Sequence, residues 1–443
     1  MIMNYNRIPV GIVLAALIAL PVGVWAAEPD DEALGADEAV ATPGDAIEMV
    51  DPEAAEIDEL SATSSKQRDH SIKEYERTIE RLMSEYGVYD DRLAEQLLGM
   101  GLSQQRQGDH PAAIDSFEQA LHLDKVNNGL HHLQQAALIE LLIESHTVLG
   151  DWEQVDGYQQ YLYWLHLRAY GESDPRLIAV LERLGRWHLR ATELETKSPV
   201  MVHLRKASHA FNKAVIIGEV AHGLNDPRLL GPLYGFALGS YYVAVAAQDP
   251  GTGVRAGTYN ESLARVELVA RGYREGRTAL RRMADIHAVN NETPPEARGI
   301  ALTLLADWYL LFNRKQSARI AYEEAYSALV SEGVEHQHIQ QFFSRPKALP
   351  ALRFPAEDGN EDAATPKAAE EVNEPRTYAL ASFYVTSSGR PRNIQILESQ
   401  PAGDLSLQRR ARRAIRSMRF RPRMENGTPV QSASVNMRYV VGY

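Results

Sequence analysis

The chain has 443 residues, no cysteine, and a formal charge of −13. That length accommodates two to four domains. The missing thiols exclude a disulfide framework, a cysteine nucleophile and cysteine-ligated zinc or iron–sulfur centres. The charge is local: residues 28–65 hold thirteen Asp and Glu and no Lys or Arg, and without them 46 acidic residues face 46 basic ones. The acidity therefore describes a linker and not a partner of the folded part.

Residues 1–26 read as a signal peptide. Arg7 precedes an apolar run, and Val24 and Ala26 stand at the spacing a signal peptidase reads, with cleavage before Ala27. The alternative is an uncleaved anchor, since Ile8 to Ala27 would span about 30 Å as a helix. Both readings predict export, with everything beyond the segment outside the cytoplasm. Residues 27–70, rich in Ala, Asp, Glu and Pro without periodicity, read as a disordered linker.

Residues 71–345 read as paired helices. Three segments open alike: DDRLAEQLLGMG (90–101), DPRLIAVLERLG (174–185) and DPRLLGPLYGFA (226–237). Asp suits a helix cap, Pro the first helical position, and Leu the start of a buried face. Gly101, Ala113, Phe117 and Ala120 are spaced 12, 4 and 3 apart, and Ala306, Ala318, Tyr322 and Ala325 repeat those intervals, with Tyr309 close to Ala306. Gly185, Ala207, Phe211 and Ala214 match them apart from ten extra residues between the helices. Val155 and Gln159 depart from the pattern, standing where Ala and an aromatic residue are expected. On these residues the block resembles the tetratricopeptide repeat, which implies a mainly α fold, an α-solenoid that receives a peptide or partner protein.

Residues 346–376 read as a second acidic, Pro- and Ala-rich linker. From 377 to 443 the period changes. Ala379, Ala381, Phe383 and Val385 alternate on one face of a strand, Ile394 and Ile396 mark a second strand, and Leu407, Ala411, Ala414, Ile415 and Met418 form a helical stripe. The other helix face carries Arg409, Arg410, Arg412, Arg413, Arg416 and Arg419. A last strand places Val435, Met437, Tyr439 and Val441 inward, so the tail is expected to be a small α+β unit of β-β-α-β order.

Gly389 after a strand, Phe420 and Pro422 closing the helix, and Asn426, Gly427 and Pro429 before the final strand resemble the C-terminal domain of TonB, the energy transducer of Gram-negative outer-membrane transport. Each marker also has a structural reason: Pro422 cannot continue a helix, and Asn-Gly turns the chain. The resemblance implies that function sits on the exposed edge of the last strand, here Ser432, Ser434, Val435, Asn436, Met437, Arg438, Tyr439 and Val440. There a short extended segment of a TonB-dependent outer-membrane transporter would add by backbone hydrogen bonds. The bland reading of the same edge is pairing with a second copy or with the linker. The long Pro- and Lys-rich spacer of TonB, and its membrane Ser-His pair, are not found here. Protein binding is thus implied, and energy transduction stays open against a periplasmic scaffold for envelope assembly.

Other features point less far. The region from Thr377 to Tyr443 has eleven Arg and three acidic residues, which reads as a solvated face or as attraction to anionic envelope polymers or the protein's own acidic linkers, not as a nucleic-acid site, since no aromatic stacking platform accompanies it. His131-His132 and His336-Gln337-His338 lack the converging ligands of a metal centre. GTGVRAG (251–257) lacks the Lys-Ser/Thr of a phosphate loop. With no GxSxG or HExxH pattern, the sequence predicts no enzyme, no cofactor and no metal.

Overall fold

The computed structural model describes residues 71–194, 196–248, 259–290, 293–350 and 377–440. The expected signal segment, the first acidic linker, nearly all of the second and the 251–257 turn lie outside the described residues. The chain divides into two units, one ending at Gly150 and one running from Asp151 to the C-terminus. Its fold class is mainly α: helix pairs of tetratricopeptide type, then a small α+β domain.

The first unit contains α1 (71–86), α2 (Asp91–Arg106), α3 (His110–Asn128) and α4 (Gln135–Leu149). The Asp-x-Arg-Leu phrase explains how α2 begins. Asp90 accepts a hydrogen bond from the Arg92 backbone N–H at 3.1 Å and takes the same residue's guanidinium at 2.8 and 3.0 Å. The start of the helix is thereby fixed so that Leu93 enters the core at 2% exposure. A methyl group at Gly101 would lie 2.5 Å from the Phe117 ring, so only glycine lets α2 and α3 close to that distance.

The second unit repeats both devices. It holds α5 (Trp152–Tyr170), α6 (Leu177–Ala191), α7 (Val200–His222), α8 (Leu230–Gln248), α9 (Tyr259–Val289), α10 (Ala297–Leu311), α11 (Lys315–Ser331) and α12 (His336–Phe343). Asp174–Arg176 and Asp226–Arg228 form the same caps, with Nη2–Oδ2 distances of 2.8 Å in each. Leu177 and Leu229 behind them are fully buried. The hydrogen bonds from Arg176 hold the Asp174 carboxyl down at about 2. Such exposed pairs add little stability; what they supply is a defined helix start.

Pro227 opens a 3-10 turn (Pro227–Leu229), whereas Pro175 stays ahead of α6, which starts at Leu177. The expectation of a proline in the first helical position therefore holds at one of the two sites. A methyl at Gly185 would meet Phe211 at 2.7 Å, as Gly101 meets Phe117 in the first unit. Ala207, Phe211, Ala214, Ala306, Ala318, Tyr322 and Ala325 are all buried, as are Val155 and Gln159, the two departures from the pattern. The segment 227–248 is long and apolar enough to cross a membrane, but Leu233, Ala237, Leu238 and Ala244 are core residues of this unit, and it packs between α7 and α9.

The C-terminal strands and helix are β1 (Lys347–Leu349), β2 (Tyr378–Val385), β3 (Pro391–Gln400), α13 (Leu405–Ser417), β4 (Arg419–Arg421), β5 (Arg423–Glu425), β6 (Thr428–Val430) and β7 (Val435–Val440). β3, β2 and β7 form an antiparallel sheet in that order. Ala379, Ala381, Phe383 and Val385 face inward, against Leu407, Ala411 and Ile415 of α13. Asn426 (φ +47) and Gly427 (φ +81) make the two-residue turn that joins β5 to β6.

Four strands exceed the expected β-β-α-β order. Two form the β5–β6 hairpin. The other two are β4 and β1, which lies in the stretch read as linker and pairs antiparallel with β4. Arg419, expected on the exposed helix face, instead opens β4 and is half-buried, because α13 ends at Ser417 and the chain turns into a strand.

These additions seat the domain on the last helix pair. Leu310, Tyr322, Ile339 and Phe343 share one core with Leu349 and Met424. At its centre Arg421, 3% exposed, pairs with Asp307, 2% exposed, through Nη2–Oδ2 at 2.6 Å and Nε–Oδ1 at 3.1 Å. Tyr322 donates to the same carboxylate at 2.6 Å, and burial pushes its hydroxyl far above the usual tyrosine range. Burial opposes the Arg421 charge, and the adjacent carboxylate overrides it.

Removing one member of a buried pair leaves the other charge unpaired. Arg421→Met is therefore expected to cost about 3–5 kcal/mol in denaturant unfolding, and the double variant Asp307→Asn, Arg421→Met to regain most of that loss. Equal instability of the single and double variants would mean that the pair contributes by shape alone.

Candidate functional site

The sheet edge is built by β7. One side of this strand pairs with β2, from Phe383↔Val435 to Tyr378↔Val440. No strand flanks the other side among the described residues, since β7 ends the order β3-β2-β7. In a strand, every second backbone N–H and C=O points to one side, so the outer side of β7 presents unpaired donors and acceptors in register. Tyr439 is buried and Val435 and Met437 are half-buried against the domain core, which holds the strand in place. Asn436 and Arg438 point to solvent.

Ser432 and Ser434 differ from the sequence expectation in placement. Ser432 is 7% exposed; its backbone N–H donates to Val385 O at 2.9 Å, and its Oγ accepts from Val385 N at 2.9 Å. Its donor is consumed inside the domain, so it ties the chain to the end of β2 and offers nothing at the edge. Ser434 lies before the strand, with its hydroxyl 2.6 Å from that of Ser382.

The motif residues hold this edge from behind. Phe420, 2% exposed, packs on Phe383 with ring centroids 5.3 Å apart. Gly389 has φ +71, and a Cβ there would lie 2.2 Å from Phe420 O and 3.1 Å from Leu310 Cδ1. Gly389 O in turn accepts from Phe420 N at 2.9 Å. Gly427 packs on Tyr326 of α11, and Pro422 is buried, while Pro429 lies opposite Met424 in the β5–β6 hairpin. These residues touch helices as well as strands, a role the sequence reading did not assign. Arg409, Arg410, Arg412, Arg413 and Arg416 are exposed along α13.

The histidine pairs read from the sequence do not converge. His132 bonds Asp124 at 3.0 Å in the first unit, and His336 bonds Gln340 on α12 at 2.8 Å. Sequence reading missed a different cluster, in which His188, His203 and Asp156 bring nitrogen and oxygen atoms within 4.8 Å of one another. No local pattern signals it, because the three residues lie on α5, α6 and α7. Gln160 donates to His188 Nε2 at 3.0 Å, so His188 donates from Nδ1 to His203 Nδ1 at 3.1 Å. His203 Nε2 then faces Thr196 Oγ1 at 3.1 Å. The Lys206 ammonium lies 3.6 Å from the Asp156 carboxylate, and Trp187 Nε1 donates to that carboxylate at 2.8 Å. The ring nitrogens are already partnered and a cation already stands beside the acid, which suits a buried polar network better than a metal centre.

Residues 375–441 match the family profile described as Gram-negative bacterial TonB protein C-terminal. The chain thus carries a TonB-type C-terminal domain behind tetratricopeptide-like repeats, an organisation for protein interaction. No curated protein matches it. Among solved structures it is similar to BtubC (BKLC) from P. vanneervenii, with 13% identity, TM-score 0.34, and coverage of 61% of this chain and 93% of that one. A Podosopora anserina protein of nearly identical TPR-like repeats gives 14% identity, TM-score 0.37, and coverage of 55% and 98%. A tetratricopeptide repeat protein from Parabacteroides merdae gives 18% identity, TM-score 0.23, and coverage of 62% and 98%.

The buried histidines make stability depend on pH. Burial lowers His188 to about 4, against the weaker opposing pull of Asp156 and with Lys206 and His203 adding to it. Between that value and the unfolded value near 6.5 the unfolded chain binds the extra proton, so stability falls as pH drops. The loss is on the order of 3 kcal/mol once the pH is below the folded value. His188→Asn should flatten this part of the denaturation-midpoint profile relative to the parent chain. Parallel profiles for the two proteins would show that His188 takes its proton without penalty.

Proposed function

We propose that this protein is a periplasmic interaction protein of TonB type. Its C-terminal domain captures an extended segment of a TonB-dependent outer-membrane transporter along β7, and its helical repeats recruit a second protein. The observation that carries the reading is the open outer side of β7 within the domain that matches the TonB C-terminal profile. An added strand would draw its affinity from backbone hydrogen bonds and its register from side chains at alternate positions. The reading assigns no catalysis to the chain.

A second reading, an envelope scaffold without energy coupling, is favoured by the seating of the domain on α10–α12. The Asp307–Arg421 pair and the β1–β4 ladder fix it to the repeats of its unit. A transducer that must reach across the periplasm needs its binding domain at the end of a long spacer. Here the domain behaves as the last member of a packed array.

The absence of native cysteine makes the edge directly testable. Asn436→Cys and Arg438→Cys introduce unique thiols on exposed side chains of β7. Peptides from the periplasm-facing end of an outer-membrane transporter, each with one cysteine, are expected to form disulfides with a period of two along the peptide, as pairing strands require. Crosslinking without that period would remove strand addition from the account.

A further inference from the structure

The second unit carries a basic groove that the edge strand does not use. It has a volume of about 900 Å³ and is lined by the end of α8 (Ala247, Gln248), one face of α9, and the α10–α11 turn. Its floor is apolar and aromatic. Tyr273 and Phe312 pack with ring centroids 5.2 Å apart, and Val269 and Ala270 extend the same surface.

Four arginines surround that floor: Arg265, Arg274, Arg277 and Arg314. None has a carboxylate partner among the described residues. This contrasts with Arg271, Arg281 and Arg282, which are paired with Glu275, Glu324 and Glu219. The Arg277 and Arg314 guanidinium carbons lie 5.8 and 5.5 Å from the centre of the Tyr273 ring, so the ring holds both cations near the groove without neutralising them. Arg265 Nε is buried and has no hydrogen-bond acceptor among the described residues, although a buried donor ordinarily has one.

We infer that this groove is a docking site for an acidic peptide segment of a partner protein. Arginine forks match carboxylates in geometry as well as charge, and the aromatic floor would receive an apolar side chain between them. From Arg265 to Arg277 the helix rises about 18 Å, the length of five or six extended residues. A single small anion would leave most of that span empty. The inference gives a chemistry to the repeat-borne contact of the proposed function, and it does not depend on β7.

The test is fluorescence anisotropy on the full chain with a labelled peptide of alternating Glu and Leu, beside its Gln-for-Glu counterpart. The acidic peptide is expected to bind, and the neutral one to bind at least about tenfold more weakly. The double charge reversal Arg277→Glu, Arg314→Glu, at two exposed positions, should abolish binding while leaving the circular dichroism spectrum unchanged. Arg412→Glu with Arg413→Glu on α13, and Asn436→Pro on β7, should leave binding intact. No binding to the parent chain would overturn the inference, as would equal loss with the α13 reversals, which would mean undirected charge attraction. Loss with the β7 variant alone would transfer the peptide to the sheet edge, removing the groove and preserving the strand reading. Tighter binding of a single-stranded DNA oligonucleotide to the same groove would replace the peptide as its ligand.

Discussion

Arg421 can be buried only because Asp307 is buried opposite it. A lone guanidinium at that position would carry an uncompensated desolvation cost of several kcal/mol, and Asp307 alone would face the same. The pair therefore requires the C-terminal domain to meet α10 and α11 in one orientation. Tyr322 is doubly committed: its ring fills the repeat core, and its hydroxyl completes the Asp307 coordination. The same residue serves as a repeat marker and as part of the seat for the next domain.

The neighbouring contacts follow from that seating. β1 lies at the start of the stretch read as the second linker, yet it pairs with β4, the strand that contains Arg421. Gly389 is pressed between Phe420 O and Leu310, and Gly427 against Tyr326, so two turns of the small domain abut helices of the repeats. Met424 enters the core made by Ile339 and Phe343. The small domain thus shares apolar surface with the helices and does not rely on its own few strands for a complete core.

The seating leaves two surfaces of different character. β7 offers backbone groups, which recognise a conformation more than a sequence. The groove along α9 offers guanidinium groups around aromatic rings, which recognise charge. Under the proposed reading one surface receives an extended strand and the other an acidic segment, and neither occupant blocks the other. The His188–His203 network belongs to neither: it is a satisfied polar core whose rings stay neutral because burial disfavours their charge.

What the sequence by itself determined was local. The Asp-x-Arg-Leu caps, the 12-4-3 spacing of small and aromatic residues, the alternation from Ala379 to Val385 and the Asn426-Gly427 turn all depend on neighbours in the chain or on a fixed period. Such signals are legible because helix and strand geometry repeats every few residues. Only the tertiary structure decided the Asp307–Arg421 pair, 114 residues apart, the use of Lys347–Leu349 as a strand, the inward turn of Ser432 and the gathering of four arginines around one groove. Each depends on which face of one element meets which face of another. A charged residue reads the same in sequence whether it ends in solvent, in a groove or opposite a buried partner, because its environment is made by residues far along the chain.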